Sequence, residues 1–141
     1  MCIRDRVNPV CPLTTGADID AGLEYFLEHD FDSLLTVREE LLHSFVRGEP
    51  INIDIGEKIP MTQDLDPIQV VTWNFCFWKR EVFVKNYTER GFGVFGGKLG
   101  LFPLDKRKAV KVSDEADFRI AEAILAHQKG ALPAADYWDG P

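Results

Sequence analysis

The sequence has no apolar run approaching the roughly 18 to 20 residues that cross a bilayer as a helix. Met1–Arg6 is not followed by the apolar stretch of a secretory signal, so no membrane partner is expected. Cysteine is sparse: Cys2, Cys11 and Cys76 are odd in number and form no C-x-x-C pair. A disulfide framework and a cysteine-rich zinc site are thereby excluded, and a reducing cytoplasm is the expected location. Positive charge is also short, with 16 Lys and Arg against 23 Asp and Glu for a net charge of −7. Such a chain presents no broad field to attract nucleic acid or an anionic membrane. There is no H-E-x-x-H, no paired-carboxylate spacing and no G-x-S-x-G elbow, which removes the commonest zinc-hydrolase and serine-hydrolase readings. His29, His43 and His127 are scattered, the first and last near expected helix C-termini, where the dipole favours them. No internal repeat or linker divides the chain.

What is present is enough for one globular domain: 141 residues, 45% hydrophobic and 28% charged. Thr15 reads as a helix cap, with Asp18 completing a capping-box variant. Ile19, Gly22, Leu23, Phe26 and Leu27 follow at helical spacing, and the helix should stop near His29-Asp30. Ser33–Val37 predicts a short buried strand. In the weaker stretch from Arg38 to Asp66, Ile51, Ile53 and Ile55 alternate with polar residues, as a half-exposed hairpin arm would. Val70–Trp78 predicts a central strand, Arg80–Tyr87 a short helix, and Leu99–Leu104 and Ala109–Val112 two further strands. The glycines between Gly91 and Gly100 punctuate a loop and do not make a dinucleotide G-x-G-x-x-G. Ser113 is expected to cap a last helix running to His127, with Asp114, Glu115 and Asp117 in its first turn. Strands alternating with amphipathic helices indicate a layered α/β domain.

The two ends stand apart from this pattern. Residues 1–6, MCIRDR, carry no periodicity and are expected to be a non-native leader, and residues 130–141 a tail. The first expected element is a helix with no strand before it, whereas a parallel sheet needs its first strands. A domain truncated on its N-terminal side is therefore expected over residues 7–129.

Three segments carry a resemblance. Asn8-Pro9-Val10-Cys11-Pro12-Leu13-Thr14-Thr15 runs into Ala17-Asp18-Ile19-Asp20; Gln63-Asp64-Leu65 precedes Trp73-Asn74-Phe75-Cys76-Phe77-Trp78; and Ala109-Val110-Lys111-Val112-Ser113-Asp114-Glu115-Ala116-Asp117-Phe118 leads to Ala121-Glu122. In order and spacing these resemble the Q-P-T-S-P-L-R-T, N-G-A-I-Y-I and S-I-D-I-D-T-x-x-D segments of the acylneuraminate (CMP-sialic acid) cytidylyltransferases, over nearly all of residues 8–128. The resemblance implies a three-layer, Rossmann-like nucleotide-diphospho-sugar transferase fold with a dimerisation arm at about residues 38–66, acting as a homodimer. The family's phosphate-gripping A-R-x-x-S-K-x-x-x-x-K-N loop is not in this sequence. The resemblance thus implies a C-terminal fragment, inactive alone.

The implied reaction is attack of the anomeric hydroxyl of an acidic 2-keto sugar on the α-phosphorus of CTP, with release of pyrophosphate. Such an enzyme serves lipopolysaccharide or other surface-glycan precursor synthesis, and Mg²⁺ is the implied cofactor, neutralising the triphosphate. Asn74 matches the family's sugar-contacting Asn; on physical grounds it is equally an Asn in an apolar strand that must find partners. Trp78 stands where the family has Tyr and reads as a sugar contact or a core aromatic. Asn8 stands for a Gln, Cys11 for a Ser and Thr14 for an Arg; no basic neighbour in sequence activates Cys11. Phe95 reads either as packing on the sugar or as core. Lys111 and Ser113 occupy the two metal-associated Asp positions, leaving Asp114 and Asp117 as candidate ligands or, alternatively, as helix-dipole acids. Lys106-Arg107-Lys108 reads as a solvated turn. These departures support a second reading, a degenerate non-catalytic sugar-binding or dimerisation module.

Overall fold

The computed structural model describes residues 2–128, so the expected tail at 130–141 lies outside the described residues. Its order is β1 (Ile3–Val7), α1 (Gly16–Glu28), β2 (Ser33–Glu40), β3 (Phe45–Val46), β4 (Glu49–Pro50), β5 (Ile68–Lys79), α2 (Arg80–Arg90), β6 (Leu99–Pro103) and α3 (Glu115–Gln128). A four-stranded sheet runs β1-β5-β2-β6, and β3 and β4 form a separate two-stranded hairpin. The sheet is mixed: β5 runs antiparallel to both its neighbours, and only β2 and β6 pair in parallel. No helix among the described residues is long and apolar enough to cross a membrane.

Alternation along the strands builds two apolar layers. Leu34, Phe75 and Phe77 face α1, where Phe26 is fully buried and Ile19 and Leu23 pack beside it. Leu35, Cys76 and Trp78 face the other way, against Phe83 of α2 and the loop residue Val94. The α1 layer depends on Gly22, because a Cβ there would overlap the ring of Phe75. Helix α1 begins as its sequence predicts: the Asp18 amide bonds to the Thr15 hydroxyl and the Thr15 amide to the Asp18 carboxylate.

Four local expectations are corrected. A strand does precede α1, since Ile3–Val7 pairs with Phe75–Lys79. Its side chains are mostly exposed, so backbone pairing at the sheet edge holds it and no hydrophobic pattern announces it. Residues Ile51–Ile55 form no strand; the arm's hairpin lies just before them, turning at Arg47 and Gly48 with φ of 52° and 88°. Asn52 closes the arm on itself, accepting from the Ser44 amide and donating to the Leu42 and Asp66 carbonyls. Ala109–Val112 is no strand either, because none of the described strands lies alongside it; the Val112 amide donates to the Val10 carbonyl at 2.8 Å. Finally, Asp114 rather than Ser113 supplies the capping side chain of α3, accepting from the Asp117 amide at 2.9 Å, while Asp117 accepts from the Ser113 amide.

Candidate functional site

The centre of β5 is irregular. Leu35 pairs with Cys76 and Val37 with Val71, so Thr36 alone faces the four residues Thr72–Phe75. The Thr36 hydroxyl fills the gap, accepting from the Asn74 amide at 2.9 Å, with the Thr72 hydroxyl 3.2 Å away. Trp73 adopts φ of 60° in this bulge. That left-handed conformation is costly for a bulky residue and is sustained by the surrounding pairing.

The bulge turns Asn74 away from an ordinary ladder position and makes it a junction. Its carbonyl accepts from the Asn8 amide at 2.8 Å. Its side-chain nitrogen donates to the Thr14 hydroxyl at 2.9 Å and the Lys108 carbonyl at 2.8 Å. Asn74 is fully buried, and its Oδ1 has no hydrogen-bond partner among the described residues. The loop after β1, the bulge of β5 and the segment before α3 therefore meet at one residue. Lys108 completes the closure by pairing with Asp18 at 2.5 Å. Burial opposes ionisation of Asp18, but the Lys108 ammonium and the hydrogen bonds from Thr15 outweigh it and hold the carboxyl below its ordinary value.

Beside this junction lies an open cleft of about 340 Å³, lined by Val71, Trp73, Arg38, Lys111, Asp117 and Ile120 among others. Arg38 reaches it from β2. Its buried Nε lies 3.0 Å from Glu40 Oε1 but out of line for a hydrogen bond. Lys111 bears on the buried Cys11, whose thiol is pushed up by burial against a smaller opposing pull from the ammonium.

The residues singled out in the sequence divide into those at the junction and those away from it. Asn8 meets Asn74 through its backbone, while its side chain accepts from the Val10 amide at 3.3 Å. Phe95 is half exposed and stands edge-on to Trp73, with centroids 6.1 Å apart. Trp78 lies apart, buried against Phe83 with its indole nitrogen donating to the Val94 carbonyl at 2.9 Å. It lines a second cavity of about 370 Å³ with Arg4, Arg80 and Phe83. The 106–108 cluster is paired throughout, Lys106 with Glu40, Arg107 with Asp105 and Lys108 with Asp18. Arg38 and Trp73 were not legible as site residues, because a lone Arg ending an apolar strand and a Trp inside one look like ordinary sheet positions.

Of the residues implied for magnesium, Asp114 and Asp117 each give one carboxylate oxygen to the cap of α3, Lys111 and Ser113 carry no carboxylate, and among the described residues no group of three or more Asp, Glu, His or Cys is placed to hold a metal ion.

The chain matches no family model. It is similar to the post-translational flagellin modification protein B of Campylobacter coli, with 25% identity over an alignment of 137 residues. That alignment takes in 89% of this chain and 53% of the relative, so the chain spans about half the length of the curated relative it matches.

Proposed function

We propose that this chain is the sugar-facing part of a nucleotidyltransferase that moves CMP from CTP onto an acidic 2-keto sugar, releasing pyrophosphate. The observation that carries the reading is the convergence on Asn74: this residue of the second resembling segment is hydrogen-bonded to Asn8 and Thr14 of the first and to the carbonyl of Lys108, which immediately precedes the third. The adjoining cleft has the concave, partly apolar character of a small-molecule site. A supplier of activated acidic sugar also fits beside a relative named for post-translational flagellin modification. In this reading Asn74 orders the site from behind the cleft, Phe95 and Trp73 supply its aromatic wall, and the phosphate grip comes from outside these residues.

The protein would work in the cytoplasm as a homodimer joined through the arm, where Leu42, Phe45, Val46, Ile55 and Ile59 are between 53% and 71% exposed. Titration of the whole protein with CTP and the acidic sugar tests the reading. Asn74→Ala is expected to weaken the sugar more than CTP; equal losses would make Asn74 purely structural. The non-catalytic module remains a second reading, favoured by the engaged Asp114 and Asp117 and by Lys111. It requires that magnesium-dependent CTP binding be absent.

A further inference from the structure

We infer that the cleft beside Trp73 is an oxyanion site served directly by Lys111 and Arg38, at the place where the resembled family sets metal-associated acids. Arg38, Lys111 and Asp117 all line this one cleft, giving two cations against one carboxylate. Asp117 is already answered, since its carboxylate accepts from the Ser113 amide at the start of α3. Lys111 forms no hydrogen bond or ion pair with any described residue, unlike Lys106, Arg107 and Lys108 nearby. Arg38 is ion-paired with Glu40 through Nε at 3.0 Å, and its guanidinium makes no hydrogen bond to any described residue. In a chain with a net charge of −7, an unpaired lysine set beside an arginine on one cleft is an arrangement that attracts an anion. The left-handed Trp73 lines the same cleft, so its floor is fixed by the bulge rather than left to a mobile loop.

The ligand chemistry is an oxyanion, either the carboxylate of an acidic sugar or a phosphate of a nucleotide; only the choice between these two sources rests on the cytidylyltransferase reading. Isothermal titration of the full chain in EDTA, with inorganic phosphate, CMP and N-acetylneuraminate as separate probes, tests it. At least one probe is expected to bind saturably without metal, and Lys111→Gln and Arg38→Gln should each weaken it about tenfold or more, the scale of one charge-assisted hydrogen bond. Lys111→Asp should weaken it further. Phosphate or CMP binding assigns the site to the nucleotide; N-acetylneuraminate binding alone assigns it to the sugar carboxylate. No metal-free binding of any probe, or Lys111 variants that bind as the parent does, overturns the inference. Lys111-dependent phosphate binding without affinity for CTP or the sugar would keep the oxyanion site and overturn the cytidylyltransferase reading. Binding of CTP and sugar that survives both Lys111 variants would do the reverse.

Discussion

The side-chain nitrogen of Asn74 lies 2.9 Å from the hydroxyl of Thr14, joining a fully buried residue to a half-buried one sixty positions away. A second bond from the same nitrogen reaches the Lys108 carbonyl. Asn74→Ala therefore removes both bonds and should cost roughly 1–3 kcal/mol, the range for stranding buried polar groups. Asn74→Asp should be worse at neutral pH, because a carboxylate would face the Lys108 carbonyl. Urea unfolding of both variants measures this, and an Asp variant as stable as the parent would contradict the assignment.

Asp18 links stability to pH. Its folded-state pKa is lowered, so the folded state binds the proton more weakly than the unfolded state does. Its contribution is fully present above the ordinary carboxylate value of about 3.9 and is lost as pH falls through the lowered value. Asp18→Asn should cost about 1 kcal/mol at pH 7, the scale of a weakened charge-assisted hydrogen bond to Lys108 and the Thr15 amide. The gap between variant and parent should close in acid. Thermal melts at pH 7 and near pH 3 read both quantities.

Trp73 permits a comparison that isolates backbone strain. Trp73→Ala and Trp73→Gly both lose the contact with Phe95, but only glycine adopts φ of 60° without a Cβ penalty. The glycine variant should be the more stable of the two by about 1–2 kcal/mol. Equal stabilities would show that the bulge relaxes around either residue.

The arm should drive association. Replacing exposed Phe45 and Ile55 with Glu is expected to shift sedimentation towards monomer while leaving the circular dichroism melt within about 0.5 kcal/mol, as for surface positions generally. Unchanged sedimentation would remove the arm from the interface.

Much of the fold was legible because local chemistry agreed with the final packing. The Thr15–Asp18 cap, the apolar face of α1, the buried runs of β2 and β5 and the short apolar run of β6 each carry their own signal. What escaped depends on partners distant in sequence. Ile3–Val7 is a strand because β5 offers it an edge, and Ala109–Val112 is not one because no described strand pairs with it. At the site, Asn74 stood out as a polar residue in an apolar run, but its partners Thr14 and the Lys108 carbonyl could not be read from spacing. Arg38 and Trp73 acquire their roles only once the bulge brings the end of β5 against the segment before α3.

The bulge carries three more residues on β5 than on its partner, an odd number, and so reverses the strand's phase. Val71 shares a face with Cys76 and Trp78, whereas an unbroken strand would set it with Phe75 and Phe77. β5 is in effect two half-strands spliced out of step, each correct for its own neighbours. Its apolar content alone therefore does not determine which face a residue serves; the pairing on either side of the splice does. Deleting one residue between Thr72 and Phe75 would set Val71 four positions from Cys76, in ordinary phase with it, so both half-strands would keep their faces and only the bulge that holds Trp73 and Asn74 would be lost.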